Sequence, residues 1–141
     1  MNESGKEGVD RPLDLGELIA VLARHGVEYL LIGGVATQVH GHRRTTMDLD
    51  LTPNPSPENL HRLGAALAEL GDPSRVHVFK EPKGAHEFDQ MRERALVVDL
   101  DGNEVAIVSL DDLIRMKRAA SRPADLDDIA ALTEVERQKQ D

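Results

Sequence analysis

The chain has 141 residues, a net charge of −9, no Cys, no Trp and an aromatic content of 2%. That length suits one domain with one core, and the missing Cys removes disulfides and thiolate metal sites. The acidic balance argues against general affinity for nucleic acid or anionic membranes, and so few aromatics argue against a stacking platform for single-stranded bases.

Met1 to Pro12 reads as a polar, disordered tail. Asp14 with Glu17 marks a helix start, and Leu15, Leu18, Ile19 and Leu22 recur at helical spacing until Gly26 stops it. Val27 to Ile32 is apolar apart from Glu28, the pattern of a central strand. Gly34 to Val39 reads as a short helix and Gly41 to Thr46 as a polar turn, before a second strand pattern from Met47 to Leu51, in which apolar residues alternate with Asp48 and Asp50. Pro53, Pro55 and Pro57 break the chain, and Leu60, Leu63, Leu67 and Leu70 define a helix ending at Gly71.

Arg75 to Phe79 predicts a third strand, and Phe88 to Arg94 a short helix. Leu96 to Leu100 and Glu104 to Val108 flank Asp101-Gly102-Asn103, a hairpin signal. Ser109 with Asp112 resembles a helix N-cap, Arg122-Pro123 interrupts that helix, and Asp125 caps a last helix through Leu132. Asp111, Asp112, Asp127 and Asp128 most simply serve capping and dipole roles in first turns. Helices interleaved with strands around one small mixed sheet predict an α+β or α/β-type fold. One domain spans 13–133, with a charged, frayed tail at 134–141. No stretch approaches a membrane-spanning length and the N-terminus is polar, so a cytoplasmic protein with no membrane partner is expected.

Asp48 and Asp50 carry the chemistry. On a strand, residues i and i+2 share a face about 6.6 Å apart. Two carboxylates aimed at one volume repel each other unless a divalent cation lies between them, which points to Mg²⁺ and, with it, to phosphates. A half-exposed strand would also alternate polar residues with Leu49 and Leu51, but leaves the preceding Gly33-Gly34 unexplained. His40 and His42 have ligand-like spacing, but nothing nearby completes a zinc set.

The segment Leu31-Ile-Gly-Gly-Val-Ala-Thr-Gln-Val-His-Gly-His-Arg-Arg-Thr-Thr-Met-Asp-Leu-Asp-Leu51 resembles the signature of the DNA polymerase beta-like nucleotidyltransferase superfamily. It looks most like the minimal bacterial members related to AbiEii-type toxins. The stretch from Ser109 to Ile129 is similar to a second part of those proteins. The resemblance implies a nucleotidyltransferase-like core in which Asp48 and Asp50 hold Mg²⁺, or Mn²⁺ in its place, carrying a nucleoside triphosphate (NTP). Gly33 and Gly34 would let the backbone approach the phosphates. Arg44 and Thr46 would support the metal strand or touch phosphate, Lys117 would direct a charge at the phosphate tail, and Asp125 matches an acidic position after that helix. The implied reaction transfers a nucleoside monophosphate to a hydroxyl of RNA, protein or a small molecule.

Two positions depart from the pattern. A third carboxylate, often the general base, is expected from a later strand, where His77 stands instead; Asp99 or Asp101 could substitute if the strands are aligned differently. Histidine accepts a proton near neutral pH but is a poor Mg²⁺ ligand. Ala124 replaces a Lys that often precedes the acidic residue. Three functions therefore stand side by side. The chain is an active Mg²⁺-dependent transferase with His77 as a catalytic residue, a degenerate fold that binds nucleotide or protein, or a structural partner in a toxin–antitoxin assembly. The resemblance implies a separate helical partner protein that completes the acceptor site, and a small domain with an open cleft also suits a homodimer.

Overall fold

The computed structural model describes residues 15–43, 48–72 and 74–140. Helix α1 (Leu15–Arg24) buries Leu18, Ile19, Val21 and Leu22 along one stripe, and Gly26 just beyond it takes a φ of +68°. Strand β1 (Tyr29–Ile32) is buried at every position, so it has neighbours on both faces and both edges. Each of its fully buried leucines contributes about 2 kcal/mol of hydrophobic stabilisation. Without a loop residue between, β1 passes into helix α2 (Gly33–Val39).

Strand β2 (Leu49–Pro53) returns antiparallel to β1. Helix α3 (Pro57–Leu70) starts with Pro57 behind Ser56, whose hydroxyl accepts from the Asn59 N–H at 3.2 Å. It packs on α1 and leads to β3 (Val76–Val78), which lies parallel to β2. After helix α4 (Phe88–Glu93), strands β4 (Leu96–Leu100) and β5 (Asn103–Ile107) form the expected hairpin. Its loop is one residue shorter than the sequence implies. Leu100 pairs with Asn103, and Asp101 and Gly102 take φ of 53° and 86°, the positive values of a primed turn.

The five strands lie in the order β3-β2-β1-β5-β4. Helix α5 (Leu110–Ala120) is capped by Ser109, whose hydroxyl accepts from the Asp112 N–H at 3.1 Å, and it ends at Ser121 in the left-handed region. Helix α6 (Pro123–Gln140) packs against it. The backbone of α6 continues past Leu132, through the segment read from sequence as frayed.

Two rows of the sheet matter for the site. Leu31, Leu51, Val78 and Ile107 meet on one face, the last being fully buried. One residue along, Ile32 pairs with Asp50 and Asp50 with His77 on the opposite face. The second aspartate thus lies on the strand, whereas Asp48 precedes its first residue by one. The tail Met1–Pro12, together with Arg44 and Thr46, lies outside the described residues. No described helix is long and apolar enough to cross a membrane.

Candidate active site

Asp50 sits where β2 is flanked by the end of β1 and by β3. Its Oδ1 accepts a hydrogen bond from Nδ1 of His77 at 3.0 Å. Its Oδ2 presses on Gly33, where a Cβ would fall 2.1 Å away, and Gly33 has a φ of +70°. Glycine at 33 is therefore demanded twice, by the backbone conformation and by the space Asp50 occupies. Gly34 follows in the first turn of α2, whose N-cap residue Ile32 offers no side-chain hydrogen bond. Burial pushes the Asp50 carboxyl above its ordinary range, and the charge of Asp48 pushes the same way against His77 and Arg122. Asp48 is half-buried beside the strand start.

A second cluster joins α5 to α6. Lys117 is nearly buried, and its Nζ donates to Asp128 Oδ2 at 2.9 Å and lies 3.7 Å from Asp125 Oδ1. Asp125 stands at the third residue of α6 and reaches back to accept from the Arg122 backbone N–H at 3.0 Å and from its Nε at 2.7 Å. This is the reciprocal half of a capping box, with a guanidinium added. Burial would raise the Asp125 carboxyl, but the Arg122 hydrogen bonds outweigh it and hold the group below its usual range. His42 approaches Asp128 from the other side at 3.5 Å. Asp128 is thus a buried anchor for Lys117, not the simple first-turn charge the sequence implied. Asp112 is likewise buried, accepting from Arg94 and Arg115.

Asp50 and this cluster face a common cavity of about 430 Å³. Leu113, Met116 and Ala120, at helical spacing on α5, line it with Phe79 and Arg122. Glu81, Pro82 and Lys83, in the loop after β3, complete the wall. That loop is held against α5 at Gly84, where a Cβ would lie 2.8 Å from the Ala119 Cβ and 2.9 Å from the Arg115 carbonyl oxygen.

The structure brings Gly33, Asp50, Lys117 and Asp125 to one cavity, with His77 bonded to Asp50 beside it. It does not bring Asp99 or Asp101 there. Both lie on the β4–β5 hairpin, three strand spacings or about 14 Å from β2. Asp99 accepts from the Gly102 N–H at 2.8 Å in the hairpin turn, so neither supplies a third carboxylate. His77 is the residue of β3 in register with Asp50. His40 bonds the Val108 carbonyl at 2.7 Å, which explains it without a metal. Among the described residues, no three His, Asp or Glu side chains converge as a ready-made metal cluster.

Sequence reasoning gave Arg122 only a part in interrupting the helix, yet it is an exposed cation lining the cavity and its charge reaches Asp50. Its position immediately before a proline and three residues before Asp125 was the available signal. Phe79 carried no comparable signal, since only the alternation of β3 places it beside His77.

The sheet and its helices define a nucleotidyltransferase-like fold. A solved structure described as an antigenic nucleotidyltransferase-like protein from Paracoccidioides brasiliensis superposes with a TM-score of 0.56. The two share 20% identity, over 86% of this chain and 77% of the other, so the likeness is one of fold. The chain itself belongs to the family described as nucleotidyltransferase of unknown function (DUF6036), which matches residues 13–137. No curated protein matches the sequence.

Proposed function

We propose that the cavity binds a nucleoside triphosphate with Mg²⁺ and transfers its nucleoside monophosphate to a hydroxyl acceptor on RNA, protein or a small molecule. The single observation that carries this reading is the Asp50–His77 pair in adjacent strands, with Asp48 beside it. The donor set fits one Mg²⁺. Asp50 is a half-buried carboxylate made less comfortable by a neighbouring negative charge, which a cation relieves. Mg²⁺ commonly takes one or two protein carboxylates and completes its shell with phosphate oxygens and water. Asp48 and Asp50 would hold it, and it would neutralise the triphosphate and stabilise the leaving pyrophosphate. Among the described residues, no third carboxylate joins Asp48 and Asp50 to make a comparable set for a second ion.

The chain's own residues account for the rest. His77 Nδ1–H is taken up by Asp50, so the neutral ring keeps Nε2 as an acceptor, and its side chain is 45% exposed. Attack by the acceptor oxygen on the α-phosphorus breaks the bond to the bridging oxygen, and pyrophosphate leaves with that electron pair. The acceptor proton passes to His77 Nε2. Arg122 supplies an exposed positive charge for the phosphates, oriented by Asp125.

Lys117 favours a second reading. Its charge is already matched by Asp125 and Asp128, which fits a module that binds nucleotide without turning it over.

Calorimetry with each of the four ribonucleoside triphosphates, with and without Mg²⁺, tests the site. Binding is expected to require Mg²⁺ and to be lost in the Asp48→Asn, Asp50→Asn double variant, with the fold retained. Equal affinity in that variant would remove the metal-site reading.

A further inference from the structure

Of the chain's three aromatic side chains, one Tyr and two Phe, Tyr29 and Phe88 are buried at 9% exposure each. Phe79 alone is exposed, at 41%, and it lines the cavity that holds Asp50. An exposed ring is unremarkable in an aromatic-rich protein. Here it is the sole one, and it stands at the rim of a charged cleft instead of in the core.

Its place follows from the register. His77 and Phe79 are two residues apart on one strand direction, and the Phe79 N–H still bonds the Leu51 carbonyl at 2.9 Å, so the alternation of β3 continues through it. Phe79 therefore shares the face of Asp50 and His77, displaced along the strand by one side-chain repeat. Val76 and Val78 point the other way, into the core, and leave Phe79 no core position to take.

The cavity is divided in character. Asp50, Lys117, Arg122 and Asp125 contribute charge, while Leu113, Met116 and Ala120 present an apolar stripe from α5. A nucleotide has the same division, an anionic phosphate chain and a flat base. The polar lining consists of charged side chains only, without an Asn, Gln, Ser or Thr to read a base edge among the described residues. We propose that Phe79 is the platform on which the nucleobase of the bound triphosphate stacks, and that the site selects purine over pyrimidine by stacking area. This rests on the nucleotide-binding reading above and adds the part of the ligand that the phosphate groups do not specify. Base–aromatic stacking is tolerant of base identity but grows with overlap, so preference is graded and not absolute.

The test compares Mg²⁺-tripolyphosphate, Mg²⁺-ATP and Mg²⁺-CTP by calorimetry on the wild type, Phe79→Ala, Phe79→Leu and Phe79→Trp. Wild type binds ATP more tightly than CTP, and CTP more tightly than tripolyphosphate. Phe79→Ala and Phe79→Leu lose on the order of tenfold for ATP while tripolyphosphate changes by less than about twofold. Phe79→Trp restores ATP affinity. It also introduces the chain's only indole, whose fluorescence is quenched by ATP and not by tripolyphosphate. Phe79→Leu keeps an apolar side chain, so a loss shared with Phe79→Ala reports the ring and not folding. If tripolyphosphate binds with Mg²⁺ but the Phe79 variants leave the ATP affinity unchanged, the stacking proposal is overturned and the phosphate site stands. If neither ATP nor tripolyphosphate binds the wild type, the nucleotide reading falls and the platform falls with it.

Discussion

His77 Nδ1 and Asp50 Oδ1 lie 3.0 Å apart because residue 77 of β3 is directly paired with residue 50 of β2. The apolar pairs on either side, Leu49 with Val76 and Leu51 with Val78, fix that register from the opposite face. A slip of one residue would bury His77 and expose the valines, so the core enforces the polar contact. A carboxylate that accepts the Nδ1–H hydrogen bond fixes the orientation of the imidazole and leaves Nε2 as the acceptor, which is what a base in phosphoryl transfer needs.

His77→Ala is expected to lower any transferase rate at least tenfold while leaving Mg²⁺-dependent nucleotide affinity within about threefold. Single-turnover assays alongside calorimetry separate the two effects. An unaltered rate would exclude His77 as the base.

Gly33→Ala is expected to abolish Mg²⁺-dependent binding, because the new methyl takes the space of the Asp50 carboxylate. Gly71 provides the control, since it has a φ of +77° and open space around it. Gly71→Ala should cost stability alone, roughly 1 kcal/mol for the left-handed backbone, with binding intact. Similar binding losses in both variants would mean that backbone strain, and not the contact with Asp50, explains Gly33.

Gly84→Ala tests whether the loop forms the cavity wall. Its Cβ would meet Ala119 and the Arg115 carbonyl at under 3 Å, at a φ of +78°. The loop must lift from α5, so unfolding free energy falls by about 1–2 kcal/mol and nucleotide affinity falls several-fold. Chemical denaturation and calorimetry on the same sample check both. Unchanged affinity with lowered stability would detach the loop from the site.

Acid sensitivity should come from the buried carboxylates at the two ends of α5. Burial alone would raise the Asp112 carboxyl, but hydrogen bonds from Arg94, Arg115 and Ser109 overcome it, and Asp125 is lowered in the same way by Arg122. A carboxyl lowered in the fold gives stability that is present above its unfolded pKa of about 4 and is lost as pH falls through the folded value. Urea midpoints should therefore decline below about pH 4. Asp112→Asn should lose about 2 kcal/mol near neutrality and show a shallower acid decline. An acid decline as steep as that of the wild type would place the sensitivity elsewhere.

Most of the scaffold was legible from the chain. Helical and strand periodicities are local, so the largely apolar run ending in Ile32, the Leu60–Leu70 stripe and the Asp101-Gly102 turn each announced their element. The paired aspartates and glycines also gave the candidate site, because i, i+2 spacing on a strand is a local geometric fact. Tertiary structure decided what those residues meet. Sheet order alone carries Asp99 to the far edge and brings His77 beside Asp50. Only the packing of α5 on α6 commits Lys117 to Asp125 and Asp128, while Arg122 stays exposed at the cavity. Such pairings join residues distant in the chain or on different helices, and their partners are chosen by burial of apolar surface elsewhere. Spacing in the sequence therefore carries no record of them.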